Sequence, residues 1–366
     1  MTPTPGPLRD VTDIVAGYNH TCALMRSGGV KCWGYNYAGQ LGNGSSGGLS
    51  LVPVNVSGLS SGVTQITAGA DHTCALLDTG AVKCWGYSNY GQIGDGTSGT
   101  NRLTPVNVSG LSSGVTKISA GGEHTCALLS AGEVKCWGSN TGGQIGDGTS
   151  GTARRTPVSV SGLSSGVTQI AAGGEHTCAL LSAGGMKCWG YNGQGQIGNG
   201  SSGGNVLVPV SVSGLASGVA RISNTCALLT TGGVKCWGYN FRGRIGDGTS
   251  GNFRLVPVDV VGLSSGVSRI TEGGGHTCAL LVAGGLKCWG DNFYGSIGDG
   301  TSVTEVLTPV NVSEMTAGVS SITAGSDHTC ALLGTGEVKC WGHNGTGQIG
   351  DGTQVNRRTP VLVRVP

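Results

Sequence analysis

The chain has 366 residues, 11% of them charged, and a formal net charge of +2. That balance gives no bulk attraction for nucleic acid or an anionic membrane, and no stretch nears the ~18 consecutive apolar residues of a membrane-spanning helix. Glycine makes up 72 residues, as in some disordered linkers, but the glycines recur at fixed places beside apolar alternation, which excludes disorder.

Residues 1–10, MTPTPGPLRD, lack the apolar region of a signal peptide. They read as a linker or N-terminal tail, of the kind left at the edge of an excised domain. From Val11 onward one unit recurs seven times, over 11–62, 63–114, 115–166, 167–218, 219–266, 267–318 and 319–366. The fifth copy is shorter: it reads RISNTCALL where the others carry a segment such as AGADHTCALL, and it has lost the histidine. Units of this size cannot bury a core singly, so the seven are expected to form one closed array, a single domain over 11–366.

Within the second unit four short β-prone runs stand out: VTQIT, HTCALL, VKCW and TPVNV. Clusters of Gly, Ser and Asn separate them, and no window has a helical period. Four strands per unit, repeated seven times, predict an all-β fold: a seven-bladed β-propeller with four-stranded antiparallel blades. A β-solenoid is less suited, because its rungs are shorter.

The second and third strands are joined by RSG, DTG, SAG, SAG, TTG, VAG and GTG. Glycine always comes third, as a three-residue hairpin loop ending in the left-handed region requires. That loop sets Leu24 opposite Val30 and Cys22 opposite Cys32, close enough for a disulfide. The same register pairs Cys74 with Cys84, Cys126 with Cys136, Cys178 with Cys188, Cys226 with Cys236, Cys278 with Cys288, and Cys330 with Cys340. Seven cross-strand disulfides imply an oxidising compartment, hence a secreted or cell-surface protein. Zinc ligation lacks the C-x₂₋₄-C spacing, and a thiol redox site lacks C-x-x-C.

The run HTCALL-x-x-G-x-VKCWG-x-N-x-x-GQIGDG resembles the regulator-of-chromosome-condensation repeat, in all seven units. The resemblance implies a seven-bladed β-propeller; the cysteine pair is an addition that suggests a bacterial or extracellular branch. Family members include an exchange factor for a small GTPase, a plant photoreceptor and a secreted bacterial enzyme inhibitor, so fold does not fix function. No wedge-like insertion of the exchange-factor kind interrupts any unit. The seven tryptophans all sit in CWG and read as structural.

Strand parity puts the loop before HTCALL and the loop after KCWG on one face, and the DTG-type and GLSSG turns on the other. The GLSSG face barely varies among the copies, whereas the first face varies widely. Varied loops on a rigid ring are where binding is usually built. The candidate face therefore comprises Tyr35, Tyr37, Tyr87, Tyr90, Tyr191, Tyr239, Phe241, Arg242, Phe293 and Tyr294, with Asp71, Glu123, Glu175 and Asp327 before the H-T pairs. Aromatic residues beside acids suit a protein partner. Arg102, Arg154, Arg155, Arg254, Arg357 and Arg358 suggest a basic rim or simple solvation of an outer loop.

The recurrent histidines are expected to orient loops by bonding to backbone. The GDG aspartates exchange with Asn43 and Asn199, which favours an Asx-turn over a cation site. The lysines beside the cysteines read as packed stems with solvated heads. No nucleophile–base pair or phosphate loop is present, and no catalytic residue, cofactor or metal is expected. The ring is expected to close with 11–17 completing the blade of the last HTCALL. The expected function is a non-catalytic protein-binding scaffold with an unidentified protein partner, no nucleic acid and no membrane insertion. A structural disc and a secreted enzyme inhibitor are the alternatives, and a nucleotide-exchange factor is the least favoured of the readings.

Overall fold

The structure is a computed structural model that describes residues 6–365. Seven four-stranded antiparallel sheets follow one another along the chain, with strands in sequence order within each. In the second unit these are Val63–Ala68, His72–Leu77, Val82–Gly86 and Arg102–Asn107. The fold is a seven-bladed β-propeller with almost no helix, a single short 3₁₀ turn at Phe241–Gly243 aside among the described residues.

The first strand of each blade is innermost. Its end, with the loop that follows, lines the axis: Ala16, Ala68, Ala120, Ala172 and Ala324 border the central opening. Side chains tie neighbouring inner strands together, as where the Ala120 amide donates to Thr67 Oγ1 at 3.0 Å and the Ala16 amide to Thr323 Oγ1 at 3.0 Å.

The second strand is buried on both faces, because a blade lies on each side of it. Alternation then divides its side chains. In the first blade Cys22 and Leu24 enter a core with Ala75 and Trp85 of the second, while Ala23 enters a core with Cys330 and Leu332 of the seventh. Seven such cores fill the seams between blades.

The hairpin register is as the glycine spacing predicts. Leu24 pairs with Val30 and Cys22 with Cys32, and Gly28 adopts φ 77°. All seven disulfides are present, each with Cα atoms 4.1 Å apart.

Ring closure differs from the expected strand exchange. Val11–Ala16 pairs with His20–Met25 of its own unit, and every blade comes from one unit. Closure instead uses a small extra ladder, Gly6–Pro7 against Arg364–Val365, backed by Leu8, which is buried and donates its amide to the Val363 carbonyl at 2.9 Å. Residues 6–10 are thus part of the propeller rather than linker; residues 1–5 of that expected tail lie outside the described residues. Each unit already holds four pairable strands, so nothing is left for the next unit to supply.

Candidate partner-binding face

The seams explain the H-T pair and the CWG tryptophan. His20 and Thr21 are neighbours on a strand, so they face opposite seams. His20 Nε2 meets Thr73 Oγ1 of the next blade at 2.9 Å, and Thr73 Oγ1 donates its proton to the Gln40 carbonyl at 3.0 Å. That hydroxyl has one proton, so it accepts from His20, which is neutral with its proton on Nε2. Trp85 Nε1 donates to the same Gln40 carbonyl at 2.9 Å. The histidines thus bind mostly a neighbour's hydroxyl, not backbone as expected; only His176, beside the shortened unit, bonds to a backbone oxygen, that of Asn224, at 3.0 Å. Burial holds their pKa values low, to about 4 at His20 and about 3 at His72.

The fifth unit breaks this series. Its missing loop leaves Thr225 without the usual histidine donor from the preceding blade. Glu272 of the sixth blade, where other units have alanine, accepts from the Thr225 amide at 2.9 Å and from Thr225 Oγ1 at 2.5 Å.

Two loops per unit meet on the variable face. The inner loops surround a central cleft of about 630 Å³ whose walls include Tyr18, Asp71, Glu123, Glu175, Tyr191, Tyr239, Arg244 and Glu272. Asp71 takes a hydrogen bond from Gln40 Nε2 at 2.9 Å. Burial raises its pKa, and burial, then Glu175 and Asp71, raises that of Glu123. Asp327 lies away from the cleft wall and accepts from Ser326 Oγ at 2.8 Å.

The outer loops carry the aromatic residues. Tyr37, Tyr90, Phe241 and Phe293 are exposed, and Tyr35, Tyr87, Tyr191, Tyr239 and Tyr294 are half-buried. They form two arcs. Tyr35 stacks with Tyr37 at 6.1 Å and Tyr87 meets Tyr90 at 6.5 Å. The longer arc runs from Phe253 through Tyr239 and Phe241 in the fifth blade to Phe293 and Tyr294 in the sixth and His343 in the seventh. Arg242 bridges its middle, with the guanidinium 5.3 Å from the Phe241 ring centre, 5.8 Å from that of Phe293, and 2.8 Å from Asp291.

Arg242 has φ 53°, and the residue two positions on also differs from that of most units. In most units a Gln side chain accepts the amide of the equivalent residue, as Gln92 Oε1 does for Tyr90 at 3.0 Å. Arg244 stands in that place in the fifth unit and can only donate, to the Gly274 carbonyl at 2.8 Å.

Tyr18, Phe253, His343, Arg244 and Glu272 were not singled out from the sequence. Each departs from its equivalents in other units, a signal that copy-by-copy comparison contains. The arginines of the outer stretch do not make a basic rim: Arg102, Arg154, Arg254 and Arg357 pair with Asp95, Asp147, Asp247 and Asp351, and Arg358 donates to the Thr301 carbonyl at 2.9 Å. The GDG residues do form Asx-turns, with the Thr97 amide donating to Asp95 Oδ1 at 3.0 Å.

Comparison with known proteins agrees with seven blades. The family model described as "RCC1-like domain" matches residues 1–224 and 115–366. The chain belongs to the RCC1-like domain family. The ultraviolet-B receptor UVR8 of Arabidopsis thaliana is 32% identical over 98% of the chain and 71% of its own length. The mitochondrial RCC1 domain-containing protein RUG3 of the same plant is 34% identical over 56% of the chain and 47% of its own length. Among solved structures, human WBSCR16 superposes with a TM-score of 0.80 at 24% identity, covering 92% of this chain and 94% of that one. Prp20p of Saccharomyces cerevisiae, described with its binding to Gsp1p and histones, gives a TM-score of 0.80 at 22% identity, covering 98% of this chain and 88% of that one. These two likenesses bear on the fold. The cysteine pair of each blade lies in the core between two blades.

Proposed function

We propose that the protein is a non-catalytic scaffold that holds a protein partner on the face of the inner and outer variable loops. The observation that carries this reading is the aromatic distribution. Phe241, Phe293 and Tyr37 are 48%, 51% and 67% exposed on one face of a ring whose opposite turns scarcely vary. Exposed aromatic side chains held in place by stacking resemble the anchors of protein interfaces, since little conformational freedom remains to be lost on binding. The binding of Prp20p to Gsp1p and histones is consistent with a protein partner for a member of this family. The seven disulfides support an oxidising location, outside the cell or on its surface.

The test is affinity capture from the secreted and surface fraction of the source organism, with wild type beside a Tyr35→Ser/Tyr90→Ser/Phe241→Ser/Phe293→Ser variant. The expected outcome is a protein retained by wild type and lost by the variant, whose circular dichroism is unchanged. Equal retention by both would overturn the assignment of the face.

A further inference from the structure

Five acids on this side of the ring, Asp95, Asp147, Asp247, Asp291 and Asp351, are paired with arginine. Asp71, Glu123 and Glu175, on three successive blades, form no ion pair among the described residues. They influence one another through space, yet no group of three carboxylates among the described residues is close enough to hold a metal ion.

An aromatic surface lies between them. Tyr18 is the one bulky residue at its position, where the other full-length units have Ala70, Gly122, Gly174, Gly274 and Ser326. Its side chain extends from the first blade toward the fourth, so that a methyl group on Gly174 would meet its hydroxyl at 3.8 Å. It is 45% exposed and feels the charges of Glu123, Glu175 and Asp71, opposed by that of Arg244. The loop missing from the fifth unit leaves only Asn224 and Thr225 of that unit's inner segment on the cleft wall. Arg244, also on the wall, turns its guanidinium to the Gly274 and Gly273 carbonyls.

We propose that the central cleft receives a lysine or arginine side chain from a protruding loop of the protein partner, seated on the Tyr18 ring between Asp71, Glu123 and Glu175. A cation gains from an aromatic face and from carboxylates that lack an ion-pair partner of their own. The exposed aromatic arcs outside the cleft then take the residues flanking that cation. This inference rests on the partner-binding reading of the face.

The experiment is selection of disulfide-cyclised random nonapeptides displayed on phage against the intact protein. The expected binders carry Lys or Arg. Replacing that residue with norleucine in the synthetic peptide weakens binding to wild type at least tenfold, and the loss vanishes on an Asp71→Asn/Glu123→Gln/Glu175→Gln variant. Tyr18→Ser reduces the same loss. Binders that depend on the outer aromatics yet contain no basic residue would overturn the inference and leave the partner-binding face standing. An equal norleucine loss on wild type and triple variant would overturn it too. Binders indifferent to both sets of residues, or no binders, would count against both.

Discussion

Six of the seven Gln40-type carbonyls take two donors from the next blade, a threonine hydroxyl and an indole N–H, and five of those threonines in turn take a histidine N–H. This arrangement requires neutral histidine. An unfolded histidine has a pKa near 6.5, whereas burial holds His20 and His276 at about 4 and His72, His124 and His328 at about 3. Between those values the unfolded chain binds protons that the folded one does not. Stability is therefore fully present above pH 6.5 and declines as pH falls toward 4, by about 1.4 kcal/mol per pH unit for each histidine in the window. Urea titrations from pH 7.5 to 5 should show a steeply falling midpoint. A midpoint flat from pH 7 to 5 would contradict the neutral buried histidines. The H-T pair was visible in the sequence, but its partner was not. His20 bonds a residue 53 positions away, and only the side-to-side parity of a strand buried on both faces tells that the partner is the next copy's threonine.

At the scale of the hairpin, sequence and structure coincide because one local requirement sets the rest. The left-handed glycine at the third loop position fixes the register, the register sets the cysteines opposite each other, and their side of the strand sends them into the inter-blade core. Closing an 11-residue loop corresponds to about 2.8 kcal/mol in the chain-entropy model. A Cys74→Ala/Cys84→Ala variant should therefore lose up to that much stability, seen as a lower urea midpoint, while keeping the blade. No change in midpoint would mean that packing by itself holds the hairpin. The outer loops were less legible. An arginine opens the outer strand in four of the five units with a GDG aspartate and in neither unit with asparagine, so the pairing pattern was present but hidden among varied residues. The left-handed Arg242 backbone is nothing that local propensity supplies.

For the whole ring, the seam between the last and first blades repeats the bonds of the others. Trp33 Nε1 donates to the Gln348 carbonyl at 2.9 Å and His328 Nε2 meets Thr21 Oγ1 at 2.9 Å, beside the added ladder of Gly6–Pro7. Trp33→Phe should cost about as much as Trp137→Phe, roughly 0.5–1.5 kcal/mol for the lost indole hydrogen bond with lost packing in addition, the threonine hydroxyl still serving the carbonyl. Equal falls in the urea midpoint would show a closed ring without a weak joint. A much smaller fall for Trp33 would mean that the terminal ladder carries the closure. Seven blades were countable from the repeat, but the way the ring closes was not, because two residues at each end carry no recognisable strand pattern.

The Thr225–Glu272 contact has a consequence for how such a chain can change by inheritance. The shortening lies in one copy and the residue that answers it lies in the next, so neither is neutral when copied by itself. Duplicating or exchanging the fifth unit without the sixth would separate a lesion from its remedy. Where repeats are shuffled, the heritable module at this place is a pair of units, cut in the seams on either side of it rather than between them.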